Sequence, residues 1–293
     1  MNIKYSFIIP HKNCLDLLKR CVNSIPERED VQIIVVDDNS DIDKKPSIDR
    51  KGVEIILLDA EHSKGAGRAR NVGLKHAKGK WLLFADADDY YTDYLPSLLD
   101  KYANDETTDI VYLNACKFDE DNVVKSYKTE KLIKKYINGV RGAELDLRYN
   151  IWTPWSRMVK HHIVENNKLQ YDELPAANDK MFCLLCSYYS RNIKAEMQIV
   201  YNYYRPSKGS ITDRQKNSLI LDDILDVRRR TILLYKKAQY KKIPSYWFLF
   251  YKKPYVKGMS RIDIIKKYFS ILHVTNTNIF ADQIRYLRTR LHL

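Results

Sequence analysis

Apolar runs alternate with segments of helical spacing along the first part of the chain. Tyr5-Ser6-Phe7-Ile8-Ile9-Pro10 reads as a strand stopped by Pro10, whose ring removes a backbone donor. Residues 14–25 then carry Leu15, Leu18, Cys21, Val22 and Ile25, the spacing of one helix face. Val31-Gln32-Ile33-Ile34-Val35-Val36 is nearly continuous in apolar character, as a strand covered on both faces must be, and it ends at Asp37-Asp38-Asn39-Ser40. A third strand is predicted over 53–58, a helix over 66–77, and a fourth strand at Trp81-Leu82-Leu83-Phe84, which runs into Ala85-Asp86-Ala87-Asp88-Asp89-Tyr90. Such alternation predicts an α/β fold with a mostly parallel sheet flanked by helices, and in such sheets ligands bind outside the carboxyl ends of the strands. Pro10, Asp38 and Asp88 all stand at such ends. Three polar sites far apart in sequence are therefore expected to meet on one edge.

The acidic run after the fourth strand offers hard oxygen ligands with no His or Cys beside them. That donor set suits Mg²⁺ or Mn²⁺ and leaves positions for substrate phosphates. The plain alternative is an acidic turn or a helix cap. Further segments supply context: Gly67-Arg68-Ala69-Arg70-Asn71-Val72-Gly73, Trp155-Ser156-Arg157-Met158 and Asn178-Asp179-Lys180-Met181-Phe182. Together with Phe7-Ile8-Ile9-Pro10, Val35-Val36-Asp37-Asp38-Asn39-Ser40 and Phe84-Ala85-Asp86-Ala87-Asp88-Asp89, they resemble the inverting family-two glycosyltransferases with the Rossmann-like GT-A nucleotide-sugar fold, in the family's order. The resemblance spans most of residues 1–213.

It implies a UDP-sugar donor read by Asp38, with the backbone of Pro10 and His11 flanking the base, Asp37 holding the loop and Arg70 reaching towards base or diphosphate. It also implies that Asp88 holds Mn²⁺ or Mg²⁺ and that Asp86 serves the ribose or stands behind the metal, leaving Asp89 unassigned. Asp179 is implied as the general base that deprotonates an acceptor hydroxyl, and capping of the following helix is its ordinary alternative. The family often has Glu-Asp at this motif, whereas this chain has Asn178 before Asp179, so only the second carboxylate is available. Trp155 is implied on the acceptor side, where Trp152 and Tyr171 also suggest stacking on a sugar ring. One displacement with one base implies inversion at the anomeric carbon. The acceptor class implied is a glycan or lipid-linked hydroxyl, as in bacterial surface polysaccharide synthesis.

Composition narrows the picture. The 293 residues are 45% hydrophobic, enough to bury a full core. Five cysteines show no zinc-like spacing and sit in apolar settings, which predicts reduced core thiols in a cytosolic compartment. No apolar stretch approaches the ~18 residues of a membrane-spanning helix. Charge divides the chain: residues 214–293 hold 18 Lys or Arg against 5 Asp or Glu, so the whole formal excess of +13 lies there. A boundary is predicted near Thr212-Asp213, separating the catalytic domain 1–213 from a basic, mainly helical extension 214–293. Arg205 or Lys208 would assist the leaving group from a loop before that boundary.

Within the extension, helical stripes are predicted through Ile224, Val227, Thr231 and Leu234, through Ile262, Ile265, Phe269 and Leu272, and through Phe280, Ile284, Leu287 and Leu291. Tyr246-Trp247-Phe248-Leu249-Phe250-Tyr251 lies between lysine pairs. This pattern suits an anionic membrane surface. It suits equally well packing on the catalytic domain or on a second subunit as a homodimer. The expected location is cytoplasmic, peripheral at the inner face of the membrane. Three other readings compete: a nucleotidyltransferase using the same metal site, a signalling receiver domain, and a basic nucleic-acid binder. Nucleic acid is not expected as a partner, because that reading leaves the neutral first 213 residues without a task.

Overall fold

The computed structural model describes residues 2–118, 125–204, 220–250 and 259–291. The chain divides into two compact units, Met1–Leu174 with Asn178–Lys208 and Pro175–Ala177 with Gly209–Leu293. The boundary expected near Thr212-Asp213 and the loop residues Arg205 and Lys208 lie outside the described residues.

The first unit opens β1 (Tyr5–His11), α1 (Leu15–Asn23), β2 (Val31–Asp37), β3 (Val53–Leu57), α2 (Ala66–His76) and β4 (Trp81–Phe84). Each of these lies within two residues of its predicted bounds. The chain continues through β5 (Tyr90–Tyr91), α3 (Leu95–Tyr102), β6 (Ile110–Phe118), β7 (Lys125–Ser126), α4 (Lys128–Ile137), α5 (Ala143–Asn150), β8 (Arg157–Lys160), α6 (His161–Asn166), α7 (Lys180–Tyr189) and β9 (Ile193–Tyr204). The strands form one sheet in the order β3-β2-β1-β4-β8-β6-β9-β5, with β7 beside β6.

From β3 to β4 the sheet is parallel, with Ile8 of β1 opposite both Ile34 and Phe84. Beyond β4 it is mixed: β8 runs antiparallel to β4 and β6, β9 runs parallel to β6, and β5 antiparallel to β9. Both faces are covered, which explains the continuous apolar runs. Phe7 and Ile9 point into one layer with Leu18, Leu95 and Leu98, from α1 and α3. Ile8 points into the other with Ala69, Ile133, Leu147, Phe182 and Cys183, from α2, α4, α5 and α7.

Two glycines let α2 come close. A Cβ on Gly73 would lie 2.4 Å from Ile8 Cγ2, and one on Gly67 would lie 2.1 Å from the carbonyl oxygen of Asp172. Real side chains do not approach so closely, so the seating of α2 on β1 and beside Asp172 depends on both residues.

Among its described residues the second unit contains α8 (Leu221–Lys237), a 3₁₀ turn at Trp247–Phe250, α9 (Arg261–Val274) and α10 (Ile279–Leu291). Its own core joins Leu221, Leu225, Ile232, Tyr246, Leu249, Tyr268 and Leu272. Asp282 of α10 is 0% exposed and accepts hydrogen bonds from Tyr246 N–H at 3.0 Å, Ser245 Oγ at 3.0 Å and Tyr268 Oη at 3.1 Å. Tyr246 and Leu249, from the segment read as a surface aromatic patch, belong to this core, while Tyr251 and the lysine pair after it lie outside the described residues. No described helix is long and apolar enough to cross a membrane.

Candidate active site

The carboxyl ends of β1, β2 and β4 lie side by side, since β1 pairs with both neighbours in parallel register. At the β2 end the turn Asp37-Asp38-Asn39-Ser40 is closed by Asp37. Its carboxylate accepts from Ser40 N–H at 3.0 Å and Ser40 Oγ at 2.5 Å, and lies 2.7 Å from His11 Nδ1. Asn39 takes φ +57°, a left-handed conformation that asparagine tolerates. The imidazole of His11 is thus spent on Asp37, and its carbonyl accepts the Asp38 N–H at 2.8 Å.

Asp38 is 5% exposed. Its Oδ1 accepts from Gly65 N–H at 3.1 Å, at the entrance of α2, and its Oδ2 lies 3.4 Å from Lys12 Nζ. The carboxylate expected to read the base therefore also anchors the start of the helix that carries Arg70.

Arg70 is 5% exposed and pairs with Asp86 at 2.5 Å. It also reaches Asn178 Oδ1 at 3.4 Å and stands over the Tyr171 ring at 5.4 Å. In this arrangement Arg70 is no exposed surface charge of α2: it is buried and holds Asp86 at the carboxyl end of β4.

The loop after β4 is held from below. The N–H of Asp86 donates to Tyr201 Oη at 2.9 Å, and Arg20 of α1 donates to the carbonyl of Asp88 at 2.6 Å from among the rings of Tyr90, Phe118 and Tyr204. Asp89 Oδ1 accepts from Tyr204 N–H at 2.7 Å, the Tyr201 hydroxyl also bears on the carboxylate, and the buried Oδ2 of Asp89 has no close hydrogen-bond partner among the described residues. Burial and the charge of Asp86 push Asp88 up to about 6, and the same causes with Asp88 itself push Asp89 well above the ordinary carboxylate range.

Among the described residues no group of three or more His, Cys, Asp or Glu side chains is disposed to hold a metal ion. A cation whose remaining ligands come from phosphate oxygens nevertheless fits. Asp88 and Asp89 are both raised by burial first and by the charge of Asp86 next, and a bound cation would favour their ionised forms.

Asp179 occupies the N-cap position of α7 but makes no capping hydrogen bond with its side chain. Burial raises it, Arg70 opposes that, and Asp86 adds to it. This places Asp179 within electrostatic reach of the Arg70–Asp86 pair. Around it, Trp152 is half-buried, with Lys180 Nζ 4.1 Å and Lys128 Nζ 5.1 Å from its ring centre. α7 is gripped along its length: Arg148 donates to the carbonyls of Ser187 and Ser190 at its far end, and Arg157 to that of Cys183 in its first half.

The structure buries two residues expected on the acceptor side. Trp155 is 2% exposed and stacks on Tyr201 at 4.9 Å and on Tyr203 at 5.3 Å, so its rings pack in the core. Tyr171 is likewise buried, stacked 3.9 Å from Phe182. Arg20 and Tyr201 were not anticipated. Tyr201 lies 115 residues from Asp86, and no local pattern connects the two.

The family model for glycosyl transferase family 2 matches residues 6–166. The chain belongs to glycosyl transferase family 2. That membership leaves no room for the receiver-domain or nucleotidyltransferase readings of the same carboxylates. The chain is 28% identical over 222 residues, 73% of its length and 82% of the relative's, to the Escherichia coli UDP-Glc:alpha-D-GlcNAc-diphosphoundecaprenol beta-1,3-glucosyltransferase WfaP. It is 25% identical over 211 residues, 69% of its length and 32% of the relative's, to a poly(ribitol-phosphate) beta-glucosyltransferase of Bacillus spizizenii. The structure is similar to that of Staphylococcus aureus TarS residues 1–349 in complex with UDP-GlcNAc, with a TM-score of 0.67 and 17% identity over 93% of this chain and 80% of that one. At that identity the likeness speaks for the shared GT-A fold alone.

Proposed function

We propose that this glycosyltransferase takes its sugar from a UDP-sugar and passes it, with inversion at the anomeric carbon, to a hydroxyl of a lipid- or polymer-linked acceptor. The observation that carries the reading is Asp179: a carboxylate at a helix entrance, not engaged in capping, beside the Arg70–Asp86 pair. The donor and acceptor classes are supported by the activities named for the two relatives.

In this reading Asp38 accepts from the N–H of the pyrimidine, and the backbone of Pro10 and His11 flanks the ring. Asp86, oriented by Arg70, takes the ribose. Asp88 holds Mg²⁺ or Mn²⁺, which when bound neutralises charge on the departing diphosphate. Asp179 takes the proton of the acceptor hydroxyl, and burial suits it to this because a carboxylate raised above its ordinary range is a stronger base. No other carboxylate is required on the acceptor side, and no covalent sugar–enzyme intermediate forms.

The test is Asp179→Asn. Transfer is expected to fall about 10²- to 10⁴-fold, with UDP affinity by calorimetry unchanged. Product made from a UDP-α-sugar should be β-linked by NMR, and chelation of divalent ions should abolish transfer. Unchanged turnover in Asp179→Asn removes the assigned base, and an α-linked product removes inversion.

A further inference from the structure

The second unit carries, on two of its helices, apolar stripes that its own core leaves uncovered. On α9, Ile262, Ile265 and Phe269 recur at helical spacing and are 64%, 45% and 52% exposed. On α10, Phe280, Ile284 and Leu287 do the same at 69%, 50% and 51%. These helices are firmly seated, but through other residues: Tyr268 and Leu272 on α9 and Asp282 on α10 are buried. The exposed stripes are therefore separate faces of well-packed helices. Large apolar side chains left exposed in rows along a helix mark an interaction site.

Charge indicates what covers them. Lys266 and Arg288 stand exposed beside the two stripes, and Arg261 opens α9. The only acids on these helices are committed elsewhere: Asp263 to Ser260 at the first turn of α9, and Asp282 to the core. A second copy of the chain would set one strongly basic surface against another, which like-charge repulsion disfavours. A nucleic acid would satisfy the cations but gives no reason for six exposed aliphatic and aromatic side chains. An anionic bilayer satisfies both, since apolar groups enter the headgroup–acyl boundary while the basic groups remain level with lipid phosphates.

We propose that α9 and α10 dock this protein on an anionic lipid surface through the stripes Ile262–Ile265–Phe269 and Phe280–Ile284–Leu287. The proposal rests on no part of the sugar-transfer reading. Its test has no catalytic readout, so the two can fail separately.

The experiment is flotation of the full chain with vesicles of phosphatidylglycerol and phosphatidylcholine, against phosphatidylcholine alone. Binding is expected to the mixed vesicles at low salt, weaker at high salt and absent on the neutral ones. The double variant Phe269→Glu, Phe280→Glu should lose vesicle binding with its circular dichroism and thermal midpoint unchanged, because both side chains are already exposed. Lys266→Ala with Arg288→Ala should weaken binding roughly thirtyfold, two basic contacts' worth. The proposal is overturned by absence of flotation on the mixed vesicles at low salt, or by a double variant that still floats. It is equally overturned if ultracentrifugation at low salt, where the cations are unscreened, shows a defined dimer that the double variant dissolves, or if single-stranded DNA is bound in preference to the vesicles.

Discussion

A guanidinium that is 5% exposed and bound to one carboxylate at 2.5 Å sets the electrostatics around Asp179. Arg70 neutralises Asp86, and what remains of its field opposes the rise that burial imposes on Asp179. Two consequences belong to this residue scale. In kcat/KM against pH, the acid limb should lie above the ordinary aspartate value of about 4, and Arg70→Met should move it further up. The linked effect on stability runs the other way from a salt-bridged aspartate. The folded protein disfavours ionised Asp179, so its cost is absent in acid and develops as pH rises through the raised folded value. Asp179→Asn should accordingly raise the thermal midpoint at neutral pH and have no such effect well below pH 4. A gain that is independent of pH would refute this account. The sequence singles out Arg70, Asp86 and Asp179 but not their mutual arrangement. Arg70 meets Asp86 only because α2 lies across β1, and two glycine contacts that no composition reveals set that packing.

At the scale of elements, those glycines are where the site can be disturbed without touching substrate. Gly67→Ala would drive a methyl group into the Asp172 carbonyl, and Asp172 N–H in turn donates to the Asn178 carbonyl at 3.1 Å, one residue before Asp179. We expect a stability loss of about 1–3 kcal/mol, the usual cost of overpacking, and a fall in kcat exceeding any loss of UDP affinity. Chemical denaturation and calorimetry with the purified variant measure the two. The first four strands were legible because burial on both faces leaves an unbroken apolar signature. β8 was not, since Arg157 and Lys160 are both buried in it, Arg157 satisfied by the carbonyls of Cys183 and Ile151 and Lys160 by that of Asp105. A strand that hides two cations breaks the pattern by which strands are recognised.

For the whole molecule, charge is the property read most directly from the chain, with all of the +13 excess in residues 214–293. Helical spacing there was legible as well, but not which stripe would be buried. On α8 the predicted Val227, Thr231 and Leu234 are buried; on α9 only Leu272 of the predicted stripe is, joined there by Tyr268, and on α10 the buried residue is Asp282, which lies off the predicted stripe. A carboxylate serving as a core anchor runs against every compositional expectation. The uncovered stripes also bear on handling the purified enzyme. Mutual repulsion between basic units keeps their sticky faces apart in dilute buffer, and the Debye length shrinks to about 8 Å near physiological ionic strength. Static light scattering should therefore rise with added sodium chloride over a range where most globular proteins stay dispersed, and the Phe269→Glu, Phe280→Glu variant should remain clear. A colloid held apart by its own cations, and clumping as they are screened, is the behaviour such a surface entails.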